Sequence, residues 1–240
     1  HLIPNPEPIA ITGIGCRFPG APNPQAYWKL LREGHDAVRE VPADRWDANA
    51  LYDPDQASPG KMINRQGGLL DDVDGFDWRA FRIPPREAIY MDPQHRLLLE
   101  VAWEALEDAG LPFEEVAGDR VGVFMAIMWN DYLRLQSRDA SQLNGYSITG
   151  NGFAFAPNRI SYTFDLRGPS LAIDGACAGS LASVHAACQS LWMGEASLAL
   201  AGGVNLILSP DVNIMLSKAG VLSSEGRCMT LDARADGFVR

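Results

Sequence analysis

Cysteine is scarce in these 240 residues: there are four, at positions 16, 177, 188 and 228, with no close pairing. That spacing argues against the disulfide framework of a small secreted domain and points to a reducing, cytoplasmic setting. Histidine is equally sparse, and His1, His35, His95 and His185 share no zinc-ligand spacing with the cysteines, so no metal site is expected. Basic residues are outnumbered, 20 Lys and Arg against 30 Asp and Glu, for a net charge of −10. A nucleic-acid binder needs a basic face to neutralise phosphates, which argues against that class and leaves solubility as the plain reading of the acidity. No apolar run approaches the ~20 residues that cross a bilayer. Residues 1–8 have neither the basic start nor the long apolar stretch of a signal peptide and read as a linker end or a tag remnant. The pair Gly13 and Gly15 lacks the third glycine of a dinucleotide loop, because Phe18 stands in its place. No bound cofactor is expected, and no repeat of solenoid period is present.

What the chain does contain is alternation of strand-like and helix-like segments. Ile9-Ala-Ile-Thr-Gly-Ile-Gly15 reads as a buried strand, Pro24 to Arg32 as a short helix, and Val38 to Pro85 as a long irregular excursion carrying scattered aromatics. Asp92 as N-cap, Pro93 at the first helical position and Gly110 as a stop frame a strong helix with an apolar stripe from Leu97 to Ala109. Its glutamates and His95 are expected on the solvent side. Arg120 to Ala126 and Ala196 to Gly203 read as strands, and Asn151 to Phe164 and Asp211 to Lys218 as helices. The pattern predicts an α/β layered fold with a largely buried sheet.

The most informative stretch is Gly168 to Ser183. Leu171, Ala172 and Ile173 form a short apolar strand, Asp174 and Gly175 break it, and a helical pattern follows with Leu181, Val184, Cys188 and Leu191. Cys177 thus falls where a strand turns into a helix. Unsatisfied N–H groups and the positive end of the helix dipole favour a thiolate there, against a free-thiol pKa of about 8.5. Ala176, Ala178 and Gly179 leave room for a substrate carbonyl. Two readings stand on geometry alone: an inert buried cysteine, or a nucleophile on a strand–turn–helix elbow. Cys16, Cys188 and Cys228 read as structural.

Several motifs occur together and in order. They are the opening strand through Phe18-Pro-Gly20, Pro42-Ala-Asp-Arg-Trp46, Met91-Asp-Pro-Gln-His-Arg96, Pro157-Asn-Arg-Ile-Ser-Tyr162, Asp174-Gly-Ala-Cys177 with Ser180, and Asp236-Gly-Phe-Val-Arg240. As an ordered set they resemble the N-terminal half of the ketosynthase domain of a modular polyketide synthase, over residues 9–240. The resemblance implies a thiolase-like fold, layered α/β/α/β/α, of which this chain supplies mainly the first half, within a homodimer. It implies Cys177 as the catalytic residue. An acyl group would pass to it from the phosphopantetheine thiol of an acyl carrier protein. A malonyl-type thioester would then lose carbon dioxide and attack. A thiolate nucleophile that splits one hard step into two suits this chemistry, and N–H groups at the helix start, that of Cys177 included, would suit the oxyanion.

Two departures from the family pattern stand out. Where the family commonly shows Thr-Ala-Cys-Ser-Ser-Ser, this chain has Gly175-Ala-Cys-Ala-Gly-Ser180, which removes hydroxyls at Gly175, Ala178 and Gly179 and bears on substrate preference. The two partner histidines of the family, in His-Gly-Thr-Gly-Thr and Gly-His segments, do not occur in these residues. His185 lies eight positions past Cys177 on the same helix, about 12 Å along the axis and too far to bond the sulfur. The alternative expectation is therefore a non-elongating half that dimerises or binds carrier protein as a scaffold. Phe153, Phe155 and Phe238 are candidates to line an acyl tunnel, with core packing as the plain alternative.

Overall fold

The computed structural model describes residues 7–240, so most of the proline-rich lead-in at 1–8 lies outside the described residues. In chain order the principal elements are α1 (Pro24–Glu33), β1 (Val38–Glu40), β2 (Gln66–Gly68), α2 (Pro93–Asp108), β3 (Val121–Ala126), α3 (Phe155–Thr163), β4 (Ser170–Ile173), α4 (Gly179–Trp192), β5 (Leu198–Gly203) and α5 (Asp211–Lys218). They fall into two compact units, one comprising the chain up to Cys16 together with Val73–Asn205, the other Arg17–Asp72 with Leu206–Arg240.

The first unit is built on a parallel sheet of order β4-β3-β5. All six residues of β3 are buried, as a central strand covered on both faces requires. Side chains alternate along it. Val121, Val123 and Met125 join Leu98, Leu99, Ala102, Leu106, Ile160 and Phe164 in one core, so α2 and α3 cover that face. Ala126 points the other way, towards Gly179 at the start of α4. Leu99 is fully buried in the core, and Leu99→Ala should lower stability by about 2–5 kcal/mol, read as a fall in urea midpoint at unchanged slope.

α2 begins and ends as its sequence predicts. The Asp92 carboxylate accepts from the Gln94 N–H at 2.9 Å, and Gly110 takes the left-handed φ of +68° just past the end. Its first turn, however, is buried as a whole. His95, expected on the solvent side, is only 1% exposed, because the motif residues Pro93 to Arg96 face inward beside Trp129, whose carbonyl accepts from Gln94, and Gly150, whose carbonyl accepts from the Asp92 N–H. Glu107 is exposed as expected, while Glu100 and Glu104 are half-buried.

Three strand expectations need correction or refinement. The segment Ile9 to Gly15 forms no strand, and Ile11 is 83% exposed. A strand needs a hydrogen-bonding neighbour, and this segment instead runs along α2: the Ile14 N–H donates to the Asp108 carboxylate at 2.9 Å. Gly13 and Gly15 lie so close to the Ala105 and Val101 carbonyls that a Cβ at either would clash, which explains the glycine pair as a backbone approach. β4 forms, but as a half-exposed edge strand. β5 forms as predicted but is only half-buried, unlike β3. The helical stretch before β4 is two helices, Gly145–Asn151 and α3, interrupted at Gly152; Pro157 sits in the first turn of α3, where its missing N–H is harmless.

The second unit gives order to part of the irregular excursion. β1 and β2 pair antiparallel, with Val38 opposite Gly68 and Glu40 opposite Gln66. Val41, Trp46, Met62, Leu69 and Ile207 form a small core beside them. Arg45 bonds the Ile207 and Leu70 carbonyls at 2.9 and 2.7 Å, which ties the excursion to the segment entering α5.

Candidate active site

The C-terminal ends of all three parallel strands lie in register: Ala126 is opposite Ile173 on one side and Gly203 on the other. In open parallel sheets this edge is where ligands bind. The chain leaving β4 turns there. The Asp174 carboxylate accepts from the Ala176 N–H at 3.2 Å, and the Ala178 N–H donates to the Gly175 carbonyl at 3.0 Å. Ala176 is driven to a φ of +47°, a left-handed conformation that costs a non-glycine residue about 1 kcal/mol or more. Residues Ala176–Ala178 make a 3-10 turn, and α4 starts directly at Gly179 without a side-chain cap. The apex of this strained turn is Cys177, and its residue is exposed.

An open cleft of about 180 Å³ lies beside the turn, lined by Ala126, Gly175, Ala176, Gly179, Ser180 and Gly203 among others. Cys177 does not line it. The thiol and the cleft flank the same turn, where the lining residues are small, while Ile127, Met128 and Ile173 supply the cleft's larger walls. The sequence marked Gly175, Ala178 and Gly179; it carried no sign that Ala126 and Gly203 close the same wall, because strand register brings those together. The signal available was small residues at two strand ends, Gly202-Gly203 and the single Ala126.

α4 presents an unexpected face to the sheet. Its buried residues are Gly179, Ser183, Ala187 and Ser190, spaced three and four apart and small enough to let the helix lie close. Ser183 bonds back to the Gly179 carbonyl at 3.1 Å. Of the apolar positions read from the sequence, Leu181 is 76% exposed and Val184 is exposed, while Cys188 and Leu191 are half-buried. Cys188 is half-buried and Cys16 likewise, whereas Cys228 is exposed, with its sulfur accepting from the Val239 N–H at 3.3 Å. Phe153 packs against the core of the first unit, and Phe238 is partly exposed beside Leu222, to which it makes a β-bridge.

None of the described histidines is placed as a base for Cys177. His35 and His185 are exposed, and His95 is sealed at the start of α2 with both ring nitrogens lacking a protein partner. Burial, reinforced by the Arg159 charge, holds His95 neutral, its pKa pushed down to about 3. Burial acts oppositely on Asp92, raising its carboxyl to about 6 against two hydrogen bonds from Gln94 that favour the charged form; Asp131 adds to the rise and Arg96 opposes it. Arg96 bonds the Met91 carbonyl at 3.0 and 2.8 Å, and Arg159 pairs with Glu87 at 2.6 Å. The Met91 to Arg96 motif is thus a buried polar anchor for the surrounding loops. Among the described residues no group of three or more His, Cys, Asp or Glu side chains could hold a metal ion, and no helix is long and apolar enough to cross a membrane.

Comparison with known proteins agrees with this arrangement. The family model of the beta-ketoacyl synthase N-terminal domain matches residues 6–240. The chain is 51% identical over 235 residues to one phenolphthiocerol/phthiocerol polyketide synthase of Mycobacterium tuberculosis, covering 98% of this chain and 15% of that protein. It is 52% identical over 235 residues to another phenolphthiocerol/phthiocerol polyketide synthase of the same organism, covering 98% of this chain and 13% of that protein. The chain therefore spans only a small part of the curated relatives it matches. Among solved structures it superposes with a TM-score of 0.90 and 41% identity on an oxazolomycin ketosynthase domain of Streptomyces albus JA3453, covering 95% of this chain and 41% of that one. The ketosynthase from module 6 of the bacillaene synthase of Bacillus subtilis 168 gives 0.86 and 40%, covering 96% and 37%. The fold is thiolase-like, and these residues supply its N-terminal part. The chain belongs to the beta-ketoacyl synthase family, as its N-terminal domain.

Proposed function

We propose that this chain is the nucleophile-bearing half of a condensing domain that elongates polyketide chains. The Cys177 thiolate attacks the thioester carbonyl of an acyl group carried on the phosphopantetheine arm of an acyl carrier protein. The tetrahedral adduct collapses by expelling the pantetheine thiolate, which leaves the acyl group on the Cys177 sulfur. A malonyl-type thioester on a second carrier then loses carbon dioxide. Its α-carbon forms a bond to the acyl carbon as the bond to the Cys177 sulfur breaks, returning the thiolate. The Ala178 and Gly179 N–H groups are taken up by the Gly175 and Ala176 carbonyls, so the role of oxyanion donor is assigned to the Cys177 N–H. The groups that promote decarboxylation are assigned to residues outside this chain.

The observation that carries the reading is Cys177 exposed at the apex of a strained turn, at the C-terminal edge of a parallel sheet. A homodimer is part of the proposal, supported by the half-exposed edge of β4. The test is intact-mass spectrometry of the full-length protein with a small acyl thioester, followed by peptide mapping. One acyl adduct on the peptide carrying Cys177 is expected. A protein that stays unmodified there, or is modified equally at Cys228, overturns the assignment and leaves the scaffold reading.

A further inference from the structure

The methyl of Ala126 is clasped. A Cβ built on Gly179 would lie 3.0 Å from it, and one built on Gly203 would lie 3.1 Å from it and 2.9 Å from the Ser180 hydroxyl. Ordinary carbon contacts need about 3.5 Å or more, so a side chain at either glycine would be crowded by the Ala126 methyl and something would have to shift by a few tenths of an ångström. Of Ala126 and Gly179, Ala126 is the more firmly held. It ends the central strand and is tied on both sides: the Val204 N–H donates to its carbonyl at 2.9 Å, and the next residue's N–H, Ile127, donates to the Ile173 carbonyl at 3.2 Å. The element free to yield is the first turn of α4, and Cys177 lies two residues before it. Gly175 belongs to the same lock, since its Cβ would fall 3.2 Å from the Gly179 Cα. Ala178, by contrast, is exposed.

We infer that Ala126 and Gly179 form a size-matched pair whose contact seats the Cys177 elbow on the sheet, Gly179 being a positioning residue for the thiol. In its catalytic consequence this rests on the function proposed above. It divides the chain's three departures from the common Thr-Ala-Cys-Ser-Ser-Ser pattern into unlike kinds. Glycine at 179 is favoured by the methyl at 126, glycine at 175 by the nearness of Gly179, and alanine at 178 is exposed. A serine at 179 becomes compatible with this sheet only when position 126 gives up its methyl.

The experiment is a double-mutant cycle in the full-length protein with Gly179→Ser, Ala126→Gly and both together, beside Ala178→Ser. Gly179→Ser is expected to lower the unfolding midpoint by a few degrees and the first-order rate of acyl loading about tenfold or more, with KM for the acyl thioester little changed. Adding Ala126→Gly restores both, whereas Ala178→Ser, read for stability alone, does not lower the midpoint. Wild-type midpoint and loading in Gly179→Ser, or no recovery in the double variant, overturn the inference while leaving the Cys177 assignment standing. If the wild-type protein takes no acyl group, the midpoints and the rate of Cys177 alkylation by iodoacetamide still decide the pair, and the failure then belongs to the proposed function.

Discussion

Cys177→Ala in the full-length protein removes covalent acyl loading, a fall of at least about a hundredfold to background, while Cys188→Ala and Cys228→Ala load at the wild-type rate. The three thiols differ in ways that make this a discriminating set. Cys188 is half-buried on α4, eleven positions along from Cys177, and lacks the turn that would present its sulfur. Cys228 is exposed, and so is the real competitor for a reactive thioester. Its sulfur, however, accepts a hydrogen bond from Val239 and lies on no strand–turn–helix junction. Cys177 alone combines exposure, an adjacent left-handed residue at Ala176 and the start of a fourteen-residue helix. Loading followed by quenched-flow mass spectrometry separates a site with its own rate from slow chemical acylation. Equal rates at Cys177 and Cys228, or adducts persisting in Cys177→Ala, would contradict the nucleophile assignment.

Where local chemistry decides an element, the sequence was a sufficient guide. α2 is framed by Asp92, Pro93 and Gly110, and α5 runs over the residues its pattern marks. The Cys177 elbow belongs to this class, because a strand, a turn pair and a helical period are all local. What the sequence could not convey is which surfaces meet. Ile9 to Gly15 has strand composition, yet composition does not supply a hydrogen-bonding neighbour, and the segment lies on α2 through its glycines. α4 has the helical period its sequence shows, and the face it buries is the small-residue one: Gly179, Ser183, Ala187 and Ser190 meet the sheet while Leu181 and Val184 face outward. An apolar stripe normally marks the buried side of a surface helix. Here a second stripe of small residues does so, since close approach to the sheet requires side chains of little volume. His95 is buried for a related reason. Its helix exposes one side, but the first turn is covered by chain at Trp129 and Gly150, which no window of residues around 95 contains.

That buried first turn gives stability a pH dependence made of two opposed parts. His95 has a folded pKa of about 3 against an ordinary 6.5, so between those values the unfolded chain binds the extra proton. Its contribution is complete above pH 6.5 and is lost as pH falls towards 3. Asp92 has a folded pKa of about 6 against 3.8, so between those values the folded chain holds the extra proton. Its contribution is complete below 3.8 and is lost as pH rises through 6. Each slope is at most about 1.4 kcal/mol per pH unit, and from about pH 4 to 6 they act in opposite directions and largely cancel. Removing either group should expose the other. Asp92→Asn keeps an oxygen for the N-cap and removes the titration, so stability should fall steeply as pH drops from about 6 to 4. His95→Gln stays uncharged in the same space, and its stability should instead rise over that interval. Denaturant midpoints at several pH values for wild type and both variants read the difference of slopes directly. Parallel curves would mean that neither buried group changes its proton affinity on folding. Both variants sloping the same way would mean that one of the two shifts has the wrong sign, and the neighbours Asp131, Arg96, Arg159 and Glu87 would then have to set the charge balance of the turn.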